Sequence, residues 1–114
     1  MENAKNFYID GKWVAPAKAR DMAVIDPSTE EVCETISLGD QADTDAAVNA
    51  ARAAFDGWSQ TPKEERIALL KKLGEIYEAR KSEMAEAISL EMGAPIDLAS
   101  NQQVGAGSWH IGGF

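Results

Sequence analysis

Two patterns of apolar and polar positions divide the chain. From residue 6 to 38, apolar residues come in short β-prone runs separated by turn formers; from residue 40 onward they recur at helical spacing. Phe7-Tyr8-Ile9 and Lys12-Trp13-Val14 flank Asp10-Gly11, a dipeptide suited to a two-residue hairpin turn. Ala15-Pro16-Ala17 opens a loop. Met22-Ala23-Val24-Ile25 is a further run, ended by Asp26-Pro27-Ser28-Thr29, where Pro27 sets a turn. Val32 to Leu38 alternates apolar and polar residues, as a strand with one wet face does, and Gly39-Asp40 closes it.

The helical part opens near Asp40, with Asp43 and Asp45 in a first turn where the helix dipole favours negative charge. Ala47, Val48, Ala51, Ala54, Phe55 and Trp58 form one apolar stripe, expected to pack, and Gly57 is the expected stop. Thr61, Pro62 and Glu64 have the spacing of a capping box, with Pro62 at the first helical position. The next stripe runs through Ile67, Leu70, Leu73, Ile76, Tyr77, Met84 and Ile88, opposite a charged face that includes Lys71, Lys72, Glu75, Glu78 and Arg80. A break is expected at Arg80-Lys81-Ser82, with Ser82 capping a fresh turn. Gly93 ends the stripe and Pro95 follows. From Pro95 a last helix takes in Ile96, Leu98, Ala99, Gln102, Gln103 and Ala106, softened by Gly105 and Gly107, and the chain reaches Phe114 without a cap residue.

A length of 114 residues fits one domain, and folding at this size removes roughly 60–70% of the unfolded surface from water. The apolar fraction of 45% is that of a globular chain. The net charge is −8, and from Asp21 to Ala51 there are eight acidic residues with no Lys or Arg. Phosphate backbones and anionic membranes are repelled by such a surface, so neither is an expected partner. The one cysteine, Cys33, cannot form an internal disulfide. No apolar run approaches a membrane span, and no basic-then-apolar leader is visible at the N-terminus. A cytoplasmic setting is the expectation.

The residues offer little chemistry of their own. Gly105-Ala106-Gly107-Ser108-Trp109-His110 begins like a dinucleotide loop, but the last position should be glycine and no strand precedes it. Cys33 sits among acidic neighbours, which oppose thiolate formation, and reads as a small core or edge residue. His110 is the only imidazole, short of the ligands for zinc or the partners for a triad. Phe7, Tyr8, Trp13, Phe55, Trp58 and Tyr77 fall on apolar faces and read as packing residues.

Five motifs in order resemble the N-terminal segment of the NAD(P)-dependent aldehyde dehydrogenase superfamily. Phe7 to Val14 is similar to that family's phenylalanine-isoleucine-asparagine-glycine-x-tryptophan hairpin. Ile25 to Val32 resembles its asparagine-proline-x-threonine-glycine turn, with Glu30 in place of the usual glycine. Asp45 to Trp58 resembles its alanine-rich helix, and Pro62 to Arg66 its next helix start. Leu90 to Pro95 resembles its glutamate-x-glycine-lysine-proline turn, with Ala94 for lysine. The likeness covers almost the whole chain.

The resemblance implies an α/β fold of short antiparallel strands (1–39) followed by three or four helices (40–114), an incomplete part of one aldehyde dehydrogenase domain. It implies an oxidoreductase that converts an aldehyde to a carboxylic acid with NAD or NADP, expected to be a homo-oligomer when complete. The nucleophilic cysteine, general-base glutamate, oxyanion asparagine and cofactor loop of the family have no counterpart here, so no catalytic or cofactor-binding residue is assigned and the isolated chain is expected to be inactive. By resemblance, Val24, Ile25 and Glu91 stand where relatives bind a monovalent cation. Gln102 and Ala106 stand on the helix that lines the family's substrate entrance. The competing expectation is a non-catalytic helical interaction module.

Overall fold

The computed structural model describes residues 2–113; Met1 and Phe114, with the expected uncapped end, lie outside them. Strands β1 (Phe7–Ile9), β2 (Lys12–Val14), β3 (Asp21–Ile25) and β4 (Val32–Ser37) precede helices α1 (Gln41–Gln60), α2 (Lys63–Ala79), α3 (Lys81–Met92), α4 (Ile96–Leu98) and α5 (Val104–Ile111). A π turn, Ala99–Gln103, joins α4 to α5. The chain separates into two compact units, Met1–Ile25 with Glu31–Gln60, and Asp26–Glu30 with Thr61–Phe114.

In the first unit, β1 and β2 pair antiparallel with Phe7 opposite Val14 and Ile9 opposite Lys12. Asp10 and Gly11 both have positive φ, 54° and 73°, the backbone that a two-residue turn needs to match strand twist. Asp21 of β3 faces Ser37 of β4, also antiparallel, and the register shifts at Val24/Ile25 so that Cys33 is an extra residue on β4. This bulge interrupts the expected alternation. Ser37 is buried, whereas Val32 and Leu38 are exposed.

Helix α1 is capped by a reciprocal pair that the charge pattern alone did not reveal. Asp40 Oδ1 accepts the Ala42 N–H at 2.9 Å, while Asp43 Oδ2 accepts the Asp40 N–H at 3.0 Å. Gly57 does not stop the helix, which continues to Gln60. A single glycine costs only about 1 kcal/mol relative to alanine, too little to end a helix with no competing structure. The expected packing stripe is also corrected: α1 has no buried residue, and Val48 (55%), Phe55 (59%) and Trp58 (47%) face solvent. Tyr8 and Trp13 are exposed as well, edge-to-face with centroids 5.2 Å apart.

In the second unit, Pro62 occupies the cap position of α2 rather than its first helical residue; its carbonyl accepts the Arg66 N–H at 3.1 Å. The expected break falls at Arg80 (φ −110°, ψ 13°), so the cap of α3 is Arg80 and not Ser82. Surface ion pairs run along this stretch, Lys72–Glu75 at 3.2 Å, Lys81–Glu78 at 2.9 Å and Arg80–Glu83 at 2.7 Å. Gly93 closes α3 in the left-handed conformation, φ 69°. The fully buried apolar residues among those described are Ala85 (2%), Ala99 (0%) and Val104 (1%), with Tyr77, Ile88 and Ala94 packed around them.

Candidate functional site

Gln102 lies in the π turn and Ala106 one turn further on, in α5. Both are exposed, so the composite helix presents them together on a solvent-facing stretch. The polar run Ser100, Asn101 and Gln102 is exposed there too, while Val104 behind it is buried. Beneath, Tyr77 Oη donates to the Val104 carbonyl at 2.9 Å and ties the segment to α2. No sequence pattern announced the π turn; Ala99–Gln103 carries no glycine or proline.

Val24 and Ile25 end β3, in the first unit, at the bulge. The Val24 carbonyl already accepts the Cys33 Sγ–H at 3.4 Å, and the Ile25 side chain is exposed. Glu91 is an exposed residue in the last turn of α3, in the second unit. Among the described residues no cluster of three or more His, Cys, Asp and Glu could hold a metal ion.

The residues dismissed as catalysts take structural positions. Cys33 is half-buried in the bulge, its thiol bonded to a carbonyl. His110 is exposed, its ring 5.0 Å from that of Trp109. Gly105 and Gly107 lie inside α5 rather than in a strand-to-helix loop, and a Cβ on Gly107 would overlap the Tyr77 hydroxyl. Their amides are therefore committed to the helix, and these residues do not fit a dinucleotide's pyrophosphate.

Two open grooves lie in the first unit. One, of about 490 Å³, runs between the hairpin residues Ile9 and Val14 and the small face Ala42, Ala46, Ala50 and Ala53 of α1, with Asp43 at its rim. The other, about 300 Å³, is lined by Phe7, Tyr8, Gly39 and Ala47. Asp43 is the best-held carboxylate here. The Ala17 N–H donates to it at 2.8 Å, and this bond, followed by that from the Asp40 N–H, holds its pKa below the usual aspartate value. The first groove also holds Asp10 and Lys12, whose charged groups lie 4.0 Å apart, and the second holds Thr44, whose hydroxyl donates to the Asp40 carbonyl at 3.1 Å. Among the described residues no helix is long and apolar enough to cross a membrane.

Residues 13–110 match the model of the aldehyde dehydrogenase family. A 3-succinoylsemialdehyde-pyridine dehydrogenase from a Pseudomonas species is 48% identical over 97% of the chain. A putative aldehyde dehydrogenase from Staphylococcus aureus is 40% identical over the same share. Among solved structures, an aldehyde dehydrogenase from Bartonella henselae superposes with a TM-score of 0.93 at 53% identity over 97% of the chain. A mutant of aldehyde dehydrogenase C from Pseudomonas syringae, complexed with NAD+ and octanal, gives 0.94 at 48% identity over 96%. The chain spans 24% of the first of these relatives and 23% of the second. It spans 23% and 22% of the two solved chains.

Proposed function

The chain belongs to the aldehyde dehydrogenase family, and from that premise we propose that it supplies the N-terminal part of an enzyme oxidising an aldehyde to a carboxylic acid with NAD or NADP. Residues 1–39 contribute strands and turns and residues 40–114 helices to one domain of that enzyme. The observation that carries this reading is backbone agreement at a TM-score of 0.93 with 53% identity across 97% of the chain. The nicotinamide cofactor would supply the hydride acceptor. The Gly105–Gly107 run lies inside α5 and does not fit its pyrophosphate, and the cofactor's binding groups and the reacting cysteine are assigned to the parts of the enzyme outside the 23% that this chain spans. The role of this segment is support: capped helices and two short hairpins that hold neighbouring elements in place.

The finer assignments rest on the family resemblance. Gln102 and Ala106 line the substrate entrance, which is consistent with their shared exposure. In the complete enzyme, Ala106→Trp is expected to raise KM for bulky aldehydes more than for small ones; an equal change for both would remove it from the entrance. Val24, Ile25 and Glu91 are monovalent-cation ligands. Glu91→Gln should then reduce the rise in Tm that potassium or sodium salts give over a tetramethylammonium salt of equal ionic strength. The complete enzyme is a cytoplasmic homo-oligomer.

The central test is turnover. Residues 1–114 purified alone, mixed with NAD or NADP and a panel of aliphatic and aromatic aldehydes, should give no rise in reduced-nicotinamide absorbance. Steady turnover by that chain would overturn the assignment of the chemistry to other parts of the enzyme.

A further inference from the structure

The helical segment from Ile96 to Ile111 holds one residue more than a regular α-helix between its two ends, and its neighbours on each side show why. At the π turn the Val104 N–H reaches back to the Ala99 carbonyl, five residues earlier, where an α-helix would use the fourth. Such turns are rare. Within it, Gln103 Oε1 is buried with no hydrogen-bond partner among the described residues, and an unpaired buried polar atom is costly.

Before the turn, the segment is seated on α3. Ala99 is fully buried in a cluster with Ala85. Ser89 Oγ donates to the Ala94 carbonyl at 2.8 Å, and the Ala99 N–H donates to the Pro95 carbonyl at 3.0 Å. A one-residue shift would bring Leu98 or Ser100 to the place of Ala99, and neither a larger apolar nor a polar side chain suits it. After the turn, the segment is seated on α2. Tyr77 Oη grips the Val104 carbonyl, its ring lies over Gly107, and a Cβ on Gly74 would touch Ile111 at 3.4 Å. A one-residue shift would put Ala106 or Ser108 under the tyrosine, where even a methyl group overlaps the ring.

We propose that the π turn is a register adaptor: it absorbs a one-residue mismatch between the seat of this segment on α3 and its seat on α2, and it persists only while both seats are filled. Freeing one seat lets the turn rewind to an α-helix. The freed half then rotates by about 100°, which changes the outward faces of Ser100, Asn101 and Gln102. The segment is thus a helix with two discrete arrangements, selected by contacts at Tyr77 and Ala85 and independent of the chemistry proposed above.

The test is structural and uses the protein that carries this segment at its full length. Deleting Ser100 removes the surplus residue. The expected structure has continuous α-helical bonding and keeps one seat only, either Ala85 on Ala99 or Tyr77 on Val104. A deletion variant that keeps both seats overturns the proposal. Should that variant fail to fold, Gly107→Ala decides, since it unseats the tyrosine without changing chain length. The expected result is a Val104 N–H bonded to the Ser100 carbonyl. Persistence of the bond to Ala99 with the Tyr77 ring displaced is the contrary result. If neither variant yields crystals, exchange of the Val104 amide in Tyr77→Phe is expected to rise at least tenfold, and an unchanged rate counts against the adaptor.

Discussion

Glu30 stands in a left-handed backbone conformation, φ 60°, at the end of the turn after β3. Its N–H bonds to the Asp26 carbonyl at 2.8 Å, and Asp26 Oδ1 accepts the Ser28 N–H at 2.7 Å. These bonds fix the turn and leave a residue with a Cβ where glycine suits best. Glu30→Gly is expected to raise stability by about 0.5–1 kcal/mol, read as a higher Tm, the strain relieved exceeding the entropy that glycine adds to the unfolded chain. Gly93 is the opposite case. Its φ is 69° and an added Cβ would lie 2.7 Å from Pro27 Cγ, so Gly93→Ala should cost about 1–3 kcal/mol in a denaturant titration. Asp43 gives a pH signature. Its folded pKa is lowered, first by the Ala17 N–H and then by the Asp40 N–H. Its contribution is therefore complete above the ordinary aspartate pKa of about 3.9 and fades as pH falls toward and below the folded value. Between pH 5 and 2 the Tm of the parent should fall further than that of Asp43→Asn, and parallel profiles would rule the contribution out. Features of this size were legible where residue type dictates backbone shape, as at Asp10-Gly11 and Gly93. Glu30 was visible as a departure from a glycine, whereas its φ was not.

The elements were legible to the extent that their signals are local. Hairpin, break at Arg80 and stop at Gly93 all follow from residues adjacent in sequence. The overrun of α1 past Gly57 shows the limit of a one-residue stop signal. Nothing lies within 4 Å of a Cβ placed on Gly57, so Gly57→Ala should stabilise α1 by about 0.5–1 kcal/mol, checked by far-UV circular dichroism melting. The π turn was illegible for a different reason. Ala99–Gln103 is an ordinary helical sequence, and the widening comes from Tyr77, 27 residues from the Val104 carbonyl it holds. The alternation in β4 failed likewise, because a bulge at Cys33 changes which side chains face inward without any glycine or proline to mark it. Of the candidate site, Gln102, Ala106, Val24, Ile25 and Glu91 were reached through family resemblance. Their side chains have no spacing that announces chemistry.

At the scale of the molecule, periodicity identified apolar faces but not what covers them. Val48, Phe55 and Trp58 on α1, Leu73 and Ile76 on α2, and Met84 on α3 are exposed. The fully buried apolar set described is two alanines and a valine. A core that small supplies little hydrophobic stabilisation against chain entropy. Residues 1–114 alone are therefore expected to bind an apolar dye and to melt without a sharp calorimetric peak, and a single cooperative transition with no dye binding would contradict this. The same exposure reaches the indoles: Trp13, Trp58 and Trp109 are 54%, 47% and 76% accessible. Ultraviolet-excited emission of the free chain should thus sit at its long-wavelength end and be strongly quenched by iodide or acrylamide. Each indole then becomes a built-in optical gauge. Versions retaining one tryptophan at a time would report, by a blue shift and loss of quenching, which surface is covered when the chain assembles.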